Sequence, residues 1–146
     1  MLGDYLADGY YAVEDPDGPN EPGGDAMTLW RVQYGDIEAY PRRTPYGPIP
    51  PDRKDRPADP EERYEWMVQW TELRWSWKAR VADALRADPS AAQLRFSERT
   101  GRCCICARVL TGASRMLGVG PSCRDALPDG LLAAFLQMRS ETRNAR

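Results

Sequence analysis

The chain has 146 residues, of which 20 are basic, 22 acidic and none histidine, for a net charge of −2. That length fits one domain with appendages, and the lack of imidazole excludes a Ser–His or Cys–His nucleophile and a histidine-ligated catalytic zinc. A mean hydropathy of −0.65, with no apolar run near the roughly 18 residues of a membrane span, points away from the bilayer.

Charge is distributed unevenly. Residues 1–40 hold nine acids against Arg31, a net −8, whereas residues 95–146 hold nine arginines against four acids, a net +5. An acidic start repels nucleic acid and a basic end attracts it, unless the two face each other in the fold. Arginine outnumbers lysine eighteen to two. This bias suggests coding by G+C-rich DNA, so arginine abundance alone is weak evidence of phosphate binding. The opening Met1 to Tyr5 lacks the basic and apolar stretches of a secretion signal. Four cysteines with no such signal suit a reducing cytoplasm.

Residues 1–40 read as an acidic antiparallel β unit. Gly9–Val13, rich in aromatic and β-branched residues, predicts a strand, and Glu14–Gly24, dense in Asp, Gly and Pro, predicts a loop. From Met27 to Tyr34 the period-2 pattern sets Thr28, Trp30, Val32 and Tyr34 on one face of a second strand. Gly35-Asp36 then turns the chain into Ile37–Tyr40. The neighbours of this aromatic row are acids rather than interleaved Lys or Arg, so core packing fits it better than base stacking. Residues 41–58 carry Pro41, Pro45, Pro48, Pro50, Pro51 and Pro57 among Arg42, Arg43, Arg53, Lys54 and Arg56. Repeated proline forbids helix interiors and central strands, which predicts an extended linker or surface loop.

Residues 59–87 predict a long amphipathic helix. Asp59 suits the N-cap, Pro60 the first turn, and Glu62 the third position of a capping box. Trp66, Trp70, Leu73, Trp77, Val81 and Leu85 follow at helical spacing and predict one buried stripe, with Trp70 in the core against Trp30, Val32 and Tyr34. Tyr64, Val68, Trp75 and Ala82 lie on a second flank. The tryptophans cannot all point one way, so at least one is expected at the surface, where Trp favours interaction hot spots.

Residues 88–127 form a Cys-rich module. Asp88-Pro89 opens a second helix through Leu94 and Phe96 that stops near Gly101. Cys103 and Cys106 then stand in a C-x2-C spacing, and Cys123 follows sixteen intervening residues later, behind Gly118-Val119-Gly120-Pro121. A C-x2-C pair on a tight turn aims both sulfurs at one point, where turn amides donate to thiolates. A cysteine presented from a glycine turn completes three sides of a tetrahedron, which predicts a structural zinc knuckle. Cys104 is a candidate fourth ligand, although neighbouring residues rarely aim at one metal; Asp125, Glu98, a water or a partner chain are the alternatives. The competing reading is four unliganded thiols, one or two of them simply buried. Residues 128–146 predict a final helix with Leu131, Leu132, Phe135, Leu136 and Met138 as its apolar face and Arg139, Arg143 and Arg146 near its end. The whole predicts an α+β fold, in which an N-terminal β unit packs on a long Trp-rich helix, followed by the knuckle and a C-terminal helix.

Cys103, Cys106, Arg108, Leu110, Thr111, Ser114, Gly118, Gly120, Pro121 and Cys123 together resemble an uncharacterised Cys-rich domain of phage and actinobacterial proteins. Its members share C-x2-C-x-R-x-L-T, then a Ser, then G-x-G-P-x-C. The resemblance covers about a quarter of the chain and implies a zinc site in a phage setting, without an established reaction. In larger relatives a β-rich segment precedes the domain, and some belong to helicase- or nuclease-like proteins. This chain departs from the pattern at Ala107, where relatives more often have Gly, and in the extra Cys104.

No catalytic constellation emerges, and no enzyme activity or small-molecule substrate is expected. Gly118-Val119-Gly120-Pro121 lacks the Lys-Ser/Thr of a phosphate-binding loop. The C-x2-C pair follows a predicted helix rather than opening one after a strand, as a thioredoxin-like site would. Two binding roles remain. In the first, the chain is a phage-type effector that engages a host machine handling nucleic acid, with RNA polymerase or a replication complex the natural candidates. Asp15, Asp17, Glu21 and Asp25 would then meet a basic surface and modulate or inhibit transcription or replication. In the alternative, the zinc module is a DNA- or RNA-binding accessory, with Arg102, Arg108, Arg115 and Arg124 on phosphates. The acidic pI near 5.3 favours the first, because free-standing nucleic-acid binders are usually basic.

Overall fold

The computed structural model describes residues 6–19 and 22–125, together with 133, 136–138, 140 and 141. Its architecture is α+β. Three strands, β1 (Gly9–Glu14), β2 (Met27–Gln33) and β3 (Asp36–Ala39), pair antiparallel in that order. Register sets Tyr11 opposite Trp30, Val13 opposite Thr28, and Val32 opposite both Gly9 and Ile37. Side chains alternate along a strand, so these residues share one face, while Tyr10, Ala12 and Leu29 share the other. The β2–β3 hairpin turns through Tyr34 (φ 51) and Gly35 (φ 76), both left-handed as a two-residue type I′ turn requires. Tyr34, expected on the buried face of β2, is therefore a turn residue and 80% exposed.

Helix α1 (Pro60–Ala87) starts where its punctuation predicts, with the Asp59 carboxylate accepting from the Glu62 amide at 3.1 Å. Its C-terminal half covers the first sheet face. Trp77, Val81, Ala82 and Leu85 are fully buried in one core with Tyr11, Val13, Trp30, Val32 and Ile37. Trp77 anchors this core: its ring lies 5.8 Å from Trp30, the Arg74 guanidinium sits 5.8 Å from its centroid, and its Nε1 donates to Asp15 at 2.8 Å. Ahead of Trp77, every residue of α1 is exposed or half-buried. Trp66 and Trp70 are half-buried, and Leu73 and Trp75 are exposed. The continuous stripe expected from the spacing is thus core only from Trp77 onward. The reason is length: 28 helical residues run about 42 Å, whereas a seven-residue strand runs about 23 Å. The sheet covers roughly half the helix.

The Pro-rich segment is not a free linker. Tyr46 packs on the first core, its hydroxyl donates to the Tyr40 carbonyl at 2.9 Å, and its own carbonyl accepts from Arg74 at 3.1 Å. Gly47, at φ +85, lies flat on the Trp77 ring, where a Cβ would sit 2.7 Å from ring carbons. Arg63 reaches back from α1 to the carbonyls of Pro57 and Ala58. The segment straps across the helix, with one 3-10 turn at Arg53–Asp55.

Helix α2 (Pro89–Thr100) covers the second sheet face, a partner that the helical periodicity did not identify. Asp88 ends α1 and caps α2 through the Ala91 amide at 3.1 Å. Leu94 and Phe96 meet Tyr10, Ala12, Leu29 and Tyr40, with the Phe96 ring 5.2 Å from Tyr10 and 5.4 Å from Tyr40. Arg95 donates to the Ala12 carbonyl at 2.8 Å. Most of the predicted C-terminal helix, 128–146, lies outside the described residues; those described there are helical, and Met138 packs on this second core. Among the described residues no helix is long and apolar enough to cross a membrane.

Trp77→Ala should lower the unfolding free energy by about 3–5 kcal/mol, as large-to-small core changes do, and Trp75→Ala by no more than about 0.5 kcal/mol. Urea titration of both variants measures this. A loss at Trp70→Ala as large as at Trp77→Ala would show that the core extends along the whole helix.

Candidate metal centre

Beyond α2 the chain folds back on itself from Gly101 to Leu110. The Leu110 amide donates to Gly101, Cys103 to Arg108 and Ala107 to Cys103, each at 2.8 Å. Gly101, at φ +66, ends α2 and starts this turn. Ala107 sits at φ 62, in the left-handed region that costs an L-residue roughly 1–2 kcal/mol. Glycine adopts this conformation without that cost.

Two short helices return the third cysteine. Helix α3 (Ala113–Leu117) closes on Gly118, and α4 (Pro121–Asp125) carries Cys123. Gly118 stands at φ +79, where a Cβ would meet the Ser97 Cβ at 3.2 Å. Its carbonyl accepts from the Ser97 hydroxyl at 2.5 Å and from the Cys104 amide at 3.2 Å. The glycine turn is thereby locked to both α2 and the knuckle.

The Sγ atoms of Cys103, Cys106 and Cys123 lie within 4.8 Å of one another, so these three cysteines can hold a metal ion. A tetrahedral site with metal–sulfur bonds of about 2.3 Å needs sulfurs about 3.8 Å apart, and the cluster is within a small adjustment of that. Burial works against ionising Cys103, yet amides of Gly120, Cys106 and Ile105 donate to its sulfur and hold it below the ordinary thiol value. The Ile105 amide stands 3.4 Å away. Cys123 goes the other way: burial, with the Cys106 and Cys103 sulfurs beside it, pushes its thiol up to about 12. Three thiolates at this spacing repel, and a bound dication reverses that repulsion. Loading the site therefore releases protons.

Cys104 is elsewhere. Its side chain is buried in the second core with Phe96, Leu110 and Val119, and burial pushes its thiol up to about 12. Cys103 and Cys104 are both fully buried, yet the Cys104 sulfur lies outside the cluster that Cys103 forms with Cys106 and Cys123. Its carbonyl accepts from the Tyr10 amide at 2.6 Å, tying the knuckle to β1. Glu98 is also outside the sulfur cluster, and the Asp125 side chain lies outside the described ones.

The charged residues singled out from the sequence are largely engaged within the chain. Asp15 accepts from the Trp77 indole and the Asp17 amide. Asp17 pairs with Arg80 through two contacts of 2.5 and 3.2 Å, whose hydrogen bonds hold its carboxyl below the usual range. Asp25 pairs with Arg99 of α2; Glu21 lies outside the described residues. Among the arginines, Arg102 turns inward to the Ala107 carbonyl at 2.9 Å and Arg115 is engaged, while Arg108 and Arg124 are exposed. What the sequence reading missed is the acidic edge of α1's uncovered half, Glu61, Glu62, Glu65 and Glu72. Comparing helix length with strand length would have exposed it.

Residues 93–128, about a quarter of the chain, match a family of unknown function, DUF6011. No curated protein and no solved structure matches the chain.

Ala107→Gly should raise stability by about 1 kcal/mol by relieving the left-handed alanine, read as a higher denaturation midpoint. Cys104→Ser should leave metal content unchanged while lowering the melting temperature, whereas Cys103→Ser and Cys123→Ser should lose the metal. Elemental analysis of the three variants, purified side by side, decides it.

Proposed function

We propose that the protein is a zinc-stapled, non-catalytic docking module that occupies a basic, apolar surface on a machine handling nucleic acid and modulates that machine. RNA polymerase and replication complexes are the candidates. The observation that carries this reading is the uncovered half of α1. On one side it presents Tyr64, Met67 and Trp75 at 71, 55 and 61% exposure beside exposed Glu61, Glu65 and Glu72. Large apolar groups left in water on a rigid helix cost free energy that burial against a partner recovers, and Trp and Tyr are favoured interface anchors. The acids select a cationic surface, such as nucleic-acid-handling proteins present. With Asp15, Asp17 and Asp25 engaged in tertiary contacts, the acidic contact moves from the β unit to α1. Thiolate ligands and a tetrahedral arrangement favour zinc at the cysteines, where it fixes the hairpin and glycine turn. The resemblance to Cys-rich domains of phage proteins supports a role on host machinery.

The test has two arms. Protein purified without added metal should contain about one zinc per chain. In capture of the host machine after nuclease treatment, Tyr64→Ser with Trp75→Ser and Glu61→Lys with Glu65→Lys should each weaken recovery at least tenfold, and only the charge pair should flatten the salt dependence. Arg124→Ala should change it little. Salt-sensitive binding of the pure protein to DNA or RNA that Arg108→Ala with Arg124→Ala abolishes would replace this reading with the nucleic-acid accessory.

A further inference from the structure

The three sulfurs are unequally placed. Cys103 is fully buried, Cys123 is half-buried and Cys106 is exposed, so the cluster has a closed back and an open front. On the front lies a cleft of about 400 Å³, lined by Cys106 and Cys123 but not by Cys103; a single water needs only roughly 10–15 Å³. Arg108, Thr111, Ser114 and Ser122 supply its polar wall. Structural zinc takes four ligands, from Cys and His, whereas sites with three protein ligands keep a position for an outside donor. Among the described residues the cluster has three members, Cys104 is committed to the core, and the chain contains no histidine.

We propose that the fourth position of the metal faces this cleft and is completed by an imidazole from outside the chain, a histidine of a protein seated at the knuckle. This rests on the zinc reading above. Charge selects the donor: zinc with three thiolates carries −1, which Arg108 at the cleft offsets, and neutral imidazole leaves that balance intact. A fourth thiolate or a carboxylate would bring the centre to −2. Thr111, Ser114 and Ser122 line the same cleft, and their hydroxyls are of the type that accepts a hydrogen bond from an imidazole's second nitrogen. None of the described lining side chains is a general base, so a water held at this position has no partner to activate it further. The position serves binding.

The full chain loaded with cobalt(II) in place of zinc tests this, with free imidazole as the probe. One cobalt per chain with sulfur-to-cobalt charge-transfer absorption is expected, and imidazole should shift the ligand-field bands saturably with cobalt retained after desalting. Thr111→Trp, which fills the cleft, should abolish the shift and keep the metal. A cobalt-loaded protein whose spectrum imidazole does not move overturns the proposal. So does an Asp125→Asn variant whose spectrum changes before imidazole is added, since Asp125 would then be the fourth ligand. Failure to bind cobalt at all overturns the zinc reading and this inference with it, and is distinguished from the other outcomes by metal analysis.

Discussion

Everything in this fold is referred to β1, a six-residue strand buried on both faces. Tyr11 and Val13 enter the core under α1, and Tyr10 and Ala12 enter the core under α2 and the knuckle. At its start, Gly9 lies so close to the Cys104 carbonyl that a Cβ would stand 2.8 Å from it, and the next amide donates to that same oxygen. The sheet and the cysteine hairpin are thus in backbone contact. A small sheet with one face in water would leave α2 and the cysteine segment without a floor; packing both faces gives each helix half a sheet to bury against.

The acidic start and basic end meet in the same arrangement. Asp15, Asp17 and Asp25, on the loop between β1 and β2, reach Trp77, Arg80 and Arg99 on the two helices that flank the sheet. The exposed pairs contribute little energy individually; what they do is orient a loop that has little apolar surface of its own. Asp15 differs, because it satisfies the indole N–H of the largest side chain in the first core. The uneven charge of the linear sequence is in this way partly an internal pairing pattern.

Much of this was legible in the residues, and the failures have common causes. Caps read well because they are local: Asp59, Asp88 and Gly101 each act through backbone geometry within a few residues, whereas the hairpin turns at Tyr34-Gly35, one residue ahead of the expected Gly35-Asp36. The clustering of the three sulfurs read well because C-x2-C and a glycine turn encode direction as well as identity. Periodicity told which residues share a helix face but not how far along the helix a partner extends, so Trp66, Trp70 and Leu73 were placed in a core that ends at Trp77. Proline content told that residues 41–58 avoid helix and strand, and said nothing of Gly47 seating on an indole. Cys104 was legible as an improbable ligand, while its place in the core depended on β1, nearly a hundred residues away.

The double-sided strand also limits modularity. Residues 93–128 supply Leu94, Phe96, Cys103, Cys104, Leu110 and Val119 to the second core, yet its opposite wall is Tyr10, Ala12 and Leu29 from the far end of the chain. The cysteine segment, which reads as a portable unit, is here half of a composite. A match confined to residues 93–128 therefore speaks for the cysteine turn and not for the sheet that this chain packs beneath it.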